Sequence, residues 1–415
     1  MNVLMRLILV FSFAMVSVLT YASDTSELDA IKRDLAELVM RVAALEAENA
    51  ALKASNPSEP ALTPVQTDDN IAVVEPEAWT DRIELKGDFR YRYEGIDIQG
   101  SDDRERNRMR ARIGMVAVVS DDLEVAIGLA SGDIDPVSTN QTLKGAGSTK
   151  NFGLDLAYLQ WSLNDTVTLT AGKFKSVWFK SEKSELIWDN DYNPEGLALS
   201  YQTDKAFLHG ALNWIESDTK NDQTFLIGMQ GGFVKQLSDA RLKAGLGYYE
   251  LAIAGSEAIF RDEDYFGNSF NCSDGAGLTD CRYSFDYEQL QVFVQTEFNL
   301  AGLPVVAFAE RVENMAVDTA DTGWSAGFRL GKAESPGSWQ FGYQYLYLEA
   351  DAVLGLTTGS DFAGGGTDGE GHILKGNWML TEKWSLALTL FVNEQDMAES
   401  SRNYRRVQVD TQVKF

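Results

Sequence analysis

Histidine and cysteine, the residues that build most zinc centres, are nearly absent from this sequence. Its 415 residues include two of each, and neither His209 nor His372 has a second histidine or a cysteine close by. Zinc sites need three or four such ligands, usually at short spacings. We therefore expect no metal site and no cofactor.

Positive charge is scarce as well. Lysine and arginine number 36 against 62 acidic residues, which makes the formal net charge -26 and the sequence pI about 4.4. Proteins that bind nucleic acid carry an excess of basic residues on the binding surface, because phosphate contacts dominate the affinity. We therefore expect no nucleic-acid partner.

Long hydrophobic runs are also missing beyond residue 22, where charge or glycine interrupts every apolar stretch, so no segment there is a candidate transmembrane helix. The first 22 residues differ, since one charge, Arg6, precedes an apolar run from Leu7 to Leu19 and small residues near Ala22. This pattern predicts a secretory signal peptide over residues 1–22. A membrane anchor is the alternative, although the run is shorter than the ~20 residues that a spanning helix needs.

Between residues 26 and 54 the apolar residues follow a helical period. They alternate spacings of three and four over four heptads, with Asn49 at one a position, which predicts a coiled coil that self-associates. A single amphipathic helix packed on a domain is the alternative. Residues 55–78 are proline-rich and acidic, and they predict a linker that holds this helix away from the body of the protein. The repeating positions are Leu28, Ile31, Leu35, Leu38, Val42, Leu45, Asn49 and Leu52.

From residue 79 onward the period changes to two. Between Arg104 and Arg112 an arginine occupies every second position, and the alternate positions from Met109 to Val119 are mostly apolar. Successive side chains of a β-strand point to opposite faces, so this pattern predicts a strand with one cationic face and one apolar face. Such a strand separates water from an apolar phase.

About sixteen segments share this alternation. Tight turn signals alternate along the chain with longer loops rich in glycine and aspartate, apart from two shorter loops. An even number of strands, with short connections at one rim and long ones at the other, is typical of outer-membrane barrels. We therefore predict an all-β, 16-stranded antiparallel transmembrane β-barrel over residues 79–415. The segments are 80–94, 104–119, 123–132, 151–163, 166–175, 195–203, 206–217, 222–237, 240–253, 284–298, 304–316, 322–332, 338–352, 370–380, 384–395 and 402–415.

The last predicted strand ends on Phe415 after alternating apolar residues. Here the sequence resembles bacterial outer-membrane β-barrels, whose final strand typically ends on phenylalanine. Because sixteen strands enclose an aqueous channel, the cationic face becomes lumen wall, and we expect its guanidinium groups to sit in water rather than to be buried. The predicted pore-lining basic residues are Arg90, Arg92, Arg104, Arg106, Arg108, Arg110 and Arg112.

The segment between residues 174 and 196 combines acidic and aromatic residues, unlike the other long loops. With its Trp188-Asp-Asn-Asp-Tyr-Asn-Pro-Glu-Gly196 run it resembles a family of Gram-negative outer-membrane porins, and the resemblance extends from about residue 80 to residue 415. In general-diffusion porins the third extracellular loop folds into the lumen and faces a basic wall. The resemblance thus implies a constriction with carboxylates opposite the arginines, and a loop that only caps the rim is the alternative. The acidic residues expected there are Glu182, Glu185, Asp189 and Asp191.

One enzyme-like motif and one cysteine pair remain. The stretch from Gly323 to Gly327 matches a nucleophile elbow, but the alternation of a single strand continues through it, where an elbow needs a strained turn before a helix. We therefore expect no enzyme. Cys272 and Cys281 lie in the longest loop, where an exported protein would oxidise them to a disulfide.

The sequence thus predicts an outer-membrane porin that passes small hydrophilic solutes and ions by passive diffusion. The resemblance implies a homo-oligomer, a trimer as in its relatives, in contact with outer-membrane lipid and lipopolysaccharide. The coiled coil of residues 26–54 would lie in the periplasm, with peptidoglycan as a further partner. A substrate-selective channel for anions or sugars is one alternative.

A structural envelope tether, in which the barrel merely anchors the coiled coil, is the other alternative. Deleting residues 26–54 separates it from the porin. Lost envelope integrity, measured as sensitivity to detergent, together with unchanged solute uptake would favour the tether.

Overall fold

The computed structural model describes residues 82–217, 223–260, 264–273, 280–398 and 400–415. The predicted signal peptide, coiled coil and linker lie outside the described residues. Within these ranges, no helix is long and apolar enough to cross a membrane.

The described residues form nineteen β-strands. They are β1 (Ile83–Ile98), β2 (Arg104–Ser120), β3 (Leu123–Ser131), β4 (Gln141–Thr142), β5 (Phe152–Asn164), β6 (Val167–Lys173), β7 (Glu195–Gln202), β8 (Ala206–Glu216), β9 (Thr224–Gln236), β10 (Ala240–Leu251), β11 (Phe270–Cys272), β12 (Cys281–Tyr283), β13 (Tyr287–Leu300), β14 (Leu303–Asn314), β15 (Thr322–Gly331), β16 (Trp339–Leu348), β17 (Gly369–Met379), β18 (Trp384–Gln395) and β19 (Arg402–Lys414).

Sixteen of these strands close into one antiparallel barrel, which confirms the predicted fold class. Each long strand pairs with the next long strand, and β1 pairs with β19 to close the ring. The short strand β4 pairs with β2, and β11 with β12 forms a separate hairpin. All three short strands lie within loops, and sequence alternation did not reveal these strands.

Alternating side chains explain why each strand forms where it does, as β1 illustrates. Leu85, Phe89 and Tyr91 point outward and are 66%, 43% and 39% exposed. Arg92 and Glu94 point inward and are buried. An apolar face that remains exposed on the outside of a closed barrel is suited to lipid, whereas the inward face is lumen wall.

The connections sort by length onto the two rims of the barrel. Two-residue turns follow β2, β5 and β13, whereas loops of twenty residues or more follow β3, β6, β10 and β16. We call the two ends the turn rim and the loop rim, and the long loops L2 (132–151), L3 (174–194), L5 (252–286) and L7 (349–368). Bacterial barrels have their short turns on the periplasmic side.

Exposed tryptophans mark the turn rim. Trp339 and Trp378 are register partners near the ends of β16 and β17, and Trp384 lies at the start of β18. All three are exposed on the outside of the barrel. Indole rings prefer the boundary between lipid and water, so this rim is suited to the level of one membrane surface.

Loops fill much of the loop-rim half of the lumen with apolar side chains. Trp178 and Trp188 of L3 contact the inward ring of Tyr249 on β10, with ring centroids 5.1 and 5.2 Å apart. Tyr265 of L5 and Leu354 of L7 are buried in the same cluster. Because Tyr249 projects from the inner wall, these two L3 tryptophans pack against the inner wall at the loop-rim half of the barrel.

The seam between β1 and β19 combines hydrogen bonds with close packing. The backbone nitrogens of Gly87 and Phe415 each donate to the other residue's carbonyl oxygen at 3.0 Å. A Cβ at position 87 would lie 2.3 Å from the Phe415 ring, so glycine leaves the room that this ring needs. Arg92 meets its register partner Asp410 across the seam, donating from Nε and Nη2 to the two carboxylate oxygens at 2.7 and 2.8 Å.

Candidate functional site

The arginines of β1 and β2 project into the lumen on one side of the barrel. Antiparallel register places Arg90 beside Arg110 and Arg92 beside Arg108. Arg104, at the loop end of β2, is exposed. We call the following seven residues, which include one from β19, the arginine wall: Arg90, Arg92, Arg106, Arg108, Arg110, Arg112 and Arg406.

Carboxylates on the same three strands separate these cations. Asp88 accepts hydrogen bonds from Arg110 at 2.9 Å and from Arg112 at 2.7 Å. Glu94 forms ion pairs with Arg106 and Arg406. Neighbouring arginines repel each other at this spacing, so carboxylates between them lower the energy of bringing the strands together.

L3 contributes one carboxylate to the wall. The Asp191 carboxylate lies 3.3 Å from Arg112 and 3.6 Å from Arg110. Burial alone would raise the pKa of Asp191, but the two guanidinium groups outweigh burial and hold that pKa below its usual value. Asp191 therefore remains ionised at neutral pH and links L3 to β2.

L7 contributes a second loop carboxylate. Asp361 lies 3.0 Å from Arg92 and 2.5 Å from Arg406. Burial opposes ionisation here too, but Arg406 and Arg92 hold the pKa of Asp361 well below its usual range. A carboxylate whose pKa is lowered in the folded protein stabilises the fold at any pH above its ordinary pKa. This stability is lost only as the pH falls through the lowered pKa, so the contact persists at neutral pH.

The other acidic residues predicted from the sequence lie elsewhere. Glu182 pairs with Arg329 on β15, and Glu185 accepts hydrogen bonds from Asn190 within L3. Asp189 is buried and accepts a hydrogen bond from the backbone nitrogen of Ser360 at 2.9 Å. Of the four predicted acidic residues, only Asp191 therefore contacts the arginine wall.

Asp189 differs from Asp191 in its charge environment. Burial and the carboxylates of Glu185 and Asp191 raise the pKa of Asp189 well above its usual value. Its oxygens accept hydrogen bonds from the backbone nitrogens of Asp191 and Ser360 rather than from a cation. Asp189 thus joins L3 to L7 instead of opposing an arginine.

The expectation that the guanidinium groups sit in water is wrong for the middle of the wall. Arg92 and Arg110 are each 5% exposed. L2 covers the neighbouring Arg90 and Arg108. Arg90 donates to the side-chain oxygen of Asn140 at 2.6 Å, and Arg108 donates to the backbone oxygen of Asn140 at 3.4 Å. The alternation of β2 revealed which face is cationic, but it contained no information on loops folding over that face.

Several residues of this cluster escaped the sequence prediction. The inward residues of β1 and β19 could be found from the sequence, because acidic and basic residues alternate on the polar faces of these strands. The pattern becomes informative once the two strands are known to be neighbours. Asp361 had no such signal, because L7 is rich in glycine, serine and threonine. The missed residues are Asp88, Glu94, Asp361, Arg406 and Asp410.

Positive charge exceeds negative charge in the cluster. The seven arginines face five carboxylates, which are Asp88, Glu94, Asp191, Asp361 and Asp410. Among the described residues, no carboxylate oxygen lies within 4.0 Å of Arg90, and Arg108 reaches only Glu94, at 4.0 Å. The buried Nε atoms of Arg90 and Arg108 have no hydrogen-bond acceptor. The two surplus cations are therefore Arg90 and Arg108.

Two large cavities flank the cluster at the loop rim. One of about 510 Å³ is lined by Arg104, Arg106, Arg108 and Asp361. The other, of about 580 Å³, lies among L2, L3, L5 and L7, and Asp191 lines it. The first cavity therefore borders the arginine wall directly, and the second borders Asp191, which pairs with it.

The predicted cysteine pair lies in L5, away from the charged cluster. Cys272 and Cys281 are joined by a disulfide across the β11–β12 hairpin, with Cα atoms 4.0 Å apart.

A closed sixteen-stranded barrel with a lipid-facing exterior and a charged inner wall is the architecture of outer-membrane porins. A family model described as "Putative porin" matches residues 97–264 and 279–415, and the chain belongs to this family. Family and fold make it an outer-membrane porin, and they indicate a channel rather than an enzyme.

Solved outer-membrane proteins are among the structural matches, at low sequence identity. The high-pH structure of Pseudomonas putida OprB is 13% identical, with a TM-score of 0.55, and the match covers 81% of this chain and 95% of OprB. A loop L8 deletion mutant of OmpT from Vibrio cholerae is 12% identical, with a TM-score of 0.48, over 81% of this chain and all of that one. A mutant of the Rh. blastica porin is 12% identical, with a TM-score of 0.49, over 80% of this chain and all of that one. No curated protein matches this chain in sequence.

Proposed function

We propose that this porin passes small hydrophilic solutes and ions by passive diffusion, and that the arginine wall, Asp191 and Asp361 line its narrowest section. The observation that supports this most is the path of L3 across the lumen. Its Asp191 pairs with Arg112 on β2, while its Glu182 pairs with Arg329 on β15. A loop tied to two separate parts of the inner wall narrows the space between them.

The passage proposed here lies along the arginine wall. The apolar cluster includes residues of strands from β7 to β18, but none of its described residues lies on β1, β2 or β19. Arg112 and Asp191 keep 25% and 17% of their side-chain surface exposed, so water reaches both sides of their ion pair. Opposite charges on facing sides of a narrow passage create a transverse field that orders water and selects solutes by size and dipole.

The surplus of two arginines favours anions in this passage. Cations in a low-dielectric channel attract mobile counter-ions, and Arg90 and Arg108 lack a close carboxylate that would neutralise them. The overall charge of -26 counts every acidic residue, including those on the outer loops and in the segment before the barrel. Charges beyond about 10 Å are screened at 0.1 M salt, so the local surplus decides selectivity.

The test is the reversal potential of purified channels in a planar bilayer with a KCl gradient. We expect the sign of an anion-preferring channel. The double variant Arg90→Gln/Arg108→Gln should shift the reversal potential toward cations, because it balances the cluster. Arg311→Gln is the matched control, since this exposed arginine pairs with Glu313 away from the cluster. Folded protein without any conductance would refute the channel, and a cation preference unaffected by the double variant would refute the charged passage.

The assembly and the periplasmic segment complete the proposal. We infer a homotrimer, as the resemblance to general-diffusion porins implies, and conductance steps in groups of three would support it. The chain enters β1 at the turn rim, which in bacterial barrels is the periplasmic rim, and this supports a periplasmic position for residues 26–54. Contact of that segment with peptidoglycan is part of the same proposal.

A further inference from the structure

A lysine without a carboxylate partner projects into the lumen across from the arginine wall. Lys243 lies on β10, is half-buried, and among the described residues has no carboxylate oxygen within 4.0 Å. Its Nζ lies 4.2 Å from the ring centroid of Phe179 in L3 and 5.4 Å from that of Phe207 on β8. Aromatic faces stabilise the cation but leave its charge uncompensated.

The lysine borders a cavity of about 230 Å³ whose walls differ in character. One side is apolar and includes Val177, Phe207 and Val234, while the other carries the basic groups of Arg241 and Lys243. A cavity of about 150 Å³ is large enough for benzene. The space beside Lys243 therefore accommodates one aromatic ring together with a small charged substituent.

Arg241 is available to a ligand. Its nearest carboxylate, that of Glu297, lies 3.9 Å away, and the two side chains are 50% and 41% exposed. Exposed pairs at this distance contribute little stability, so a ligand carboxylate can compete with Glu297. Since Arg241 lies near the turn end of β10, the cavity lies near the turn rim.

His209 sets the shape of the apolar side. Its Nδ1 lies 3.0 Å from the Ser200 hydroxyl, and its ring packs against Phe207 with centroids 5.3 Å apart. This hydrogen bond holds the imidazole in place on the inner wall. The ring of Phe207, which is buried, is thereby presented to the cavity in a fixed position.

We propose that this cavity is a binding site for small aromatic carboxylates, at which such solutes pause on the turn-rim side of L3. The carboxylate would pair with Lys243 and Arg241, and the ring would pack against Phe179 and Phe207. An inorganic anion lacks the apolar contact, and a neutral sugar lacks the charge, so the two halves of the site together define the solute class. The proposal rests on the proposed function, because it requires a hydrated lumen open at the turn rim.

The test uses benzoate as the probe on purified full-length protein. In a planar bilayer at constant KCl, benzoate should reduce or interrupt the channel current in a concentration-dependent way. Lys243→Met keeps the length and apolar character of the side chain, and it should raise the half-blocking benzoate concentration about tenfold, as expected for loss of one charge-assisted hydrogen bond. Lys375→Met is the matched control, because it removes an exposed lysine that points into the lumen from another strand, β17, on the same face as Ile373.

The ring requirement is tested separately. Acetate should block far more weakly than benzoate, and Phe179→Leu, in L3, should weaken benzoate block while leaving acetate block unchanged. Phe207 is less suitable for substitution because it is buried. Equal block of the unmodified channel and Lys243→Met, or equal block by acetate and benzoate, would overturn the proposal.

Calorimetric titration of benzoate into folded, detergent-solubilised protein separates the site from the channel. Heat that is abolished by Lys243→Met would support the site even if the barrel conducts no current, in which case the proposed diffusion function alone fails. Absence of saturable heat from a conducting channel would reject the site and leave the diffusion function intact.

Discussion

The variant Glu94→Gln is expected to destabilise the folded barrel by about 3–5 kcal/mol, the range found when one partner of a buried ion pair is removed. Glu94 is fully buried and forms ion pairs with Arg106 and Arg406, and it accepts a hydrogen bond from Gln408 at 3.2 Å. Glutamine has nearly the same shape but no charge. The cluster already has two surplus cations, and the variant therefore adds a third.

The measurement is urea unfolding of the barrel in lipid vesicles, followed by tryptophan fluorescence. Glu84→Gln is the matched control, because Glu84 points into the lumen from the same strand but is exposed and pairs with the exposed Lys86 at 2.7 Å. Exposed pairs typically contribute about 1 kcal/mol or less, so this control should unfold almost as the unmodified protein does. Equal midpoints for the two variants would show that the buried cluster does not stabilise the barrel.

The double variant Asp191→Asn/Asp361→Asn should raise single-channel conductance about twofold or more and strengthen the preference for anions, because it adds two uncompensated positive charges to the passage. Asp191 ties L3 to Arg110 and Arg112, and Asp361 ties L7 to Arg92 and Arg406. Removing both carboxylates weakens these ties and widens the space beside the wall. Conductance and reversal potential, recorded on the same channels, separate the steric effect from the electrostatic one.

A matched control for this variant lies within L3 itself. Glu185→Gln removes a charge from the same loop, but Glu185 binds Asn190 and does not contact the arginine wall. Its conductance and reversal potential should equal those of the unmodified channel. If Glu185→Gln and the double variant behave alike, the charge of L3 acts at long range and its contacts with the wall are irrelevant.

The strands were predictable because their signal is local. Each of the sixteen predicted segments overlaps one barrel strand, since alternation of apolar and polar residues specifies a strand between lipid and lumen without reference to the rest of the chain. The same alternation identified the inward arginines of β2. It also contained the inward acidic residues Asp88 and Glu94, but their pairing partners emerge only when β19 is known to lie beside β1.

The interior of the lumen was not predictable in the same way. L7 has the composition of a flexible polar loop, yet its Val353 and Leu354 are buried and its Asp361 meets Arg406, 45 residues further along the chain. Contacts of this kind depend on the path of a whole loop, which no short pattern encodes. The aromatic and acidic composition of L3 directed attention to that loop, but only one of its four carboxylates contacts the arginine wall.

The charges at the seam also affect the alignment of the barrel's two edge strands. Before closure, β1 and β19 have unpaired edges, and inward-pointing charges make such edges poor partners for foreign strands. In the observed alignment the two edges complement each other, with Arg92 opposite Asp410 and Glu94 opposite Gln408. A slip of two residues in one direction would keep the faces correct but bring Glu94 opposite Asp410, and the repulsion between these carboxylates disfavours it. The opposite slip would bring Glu94 opposite Arg406, so charge does not disfavour it. The residues that line the proposed passage thus also contribute to how the last strand aligns on the first, by disfavouring one of the two slips that keep the faces correct.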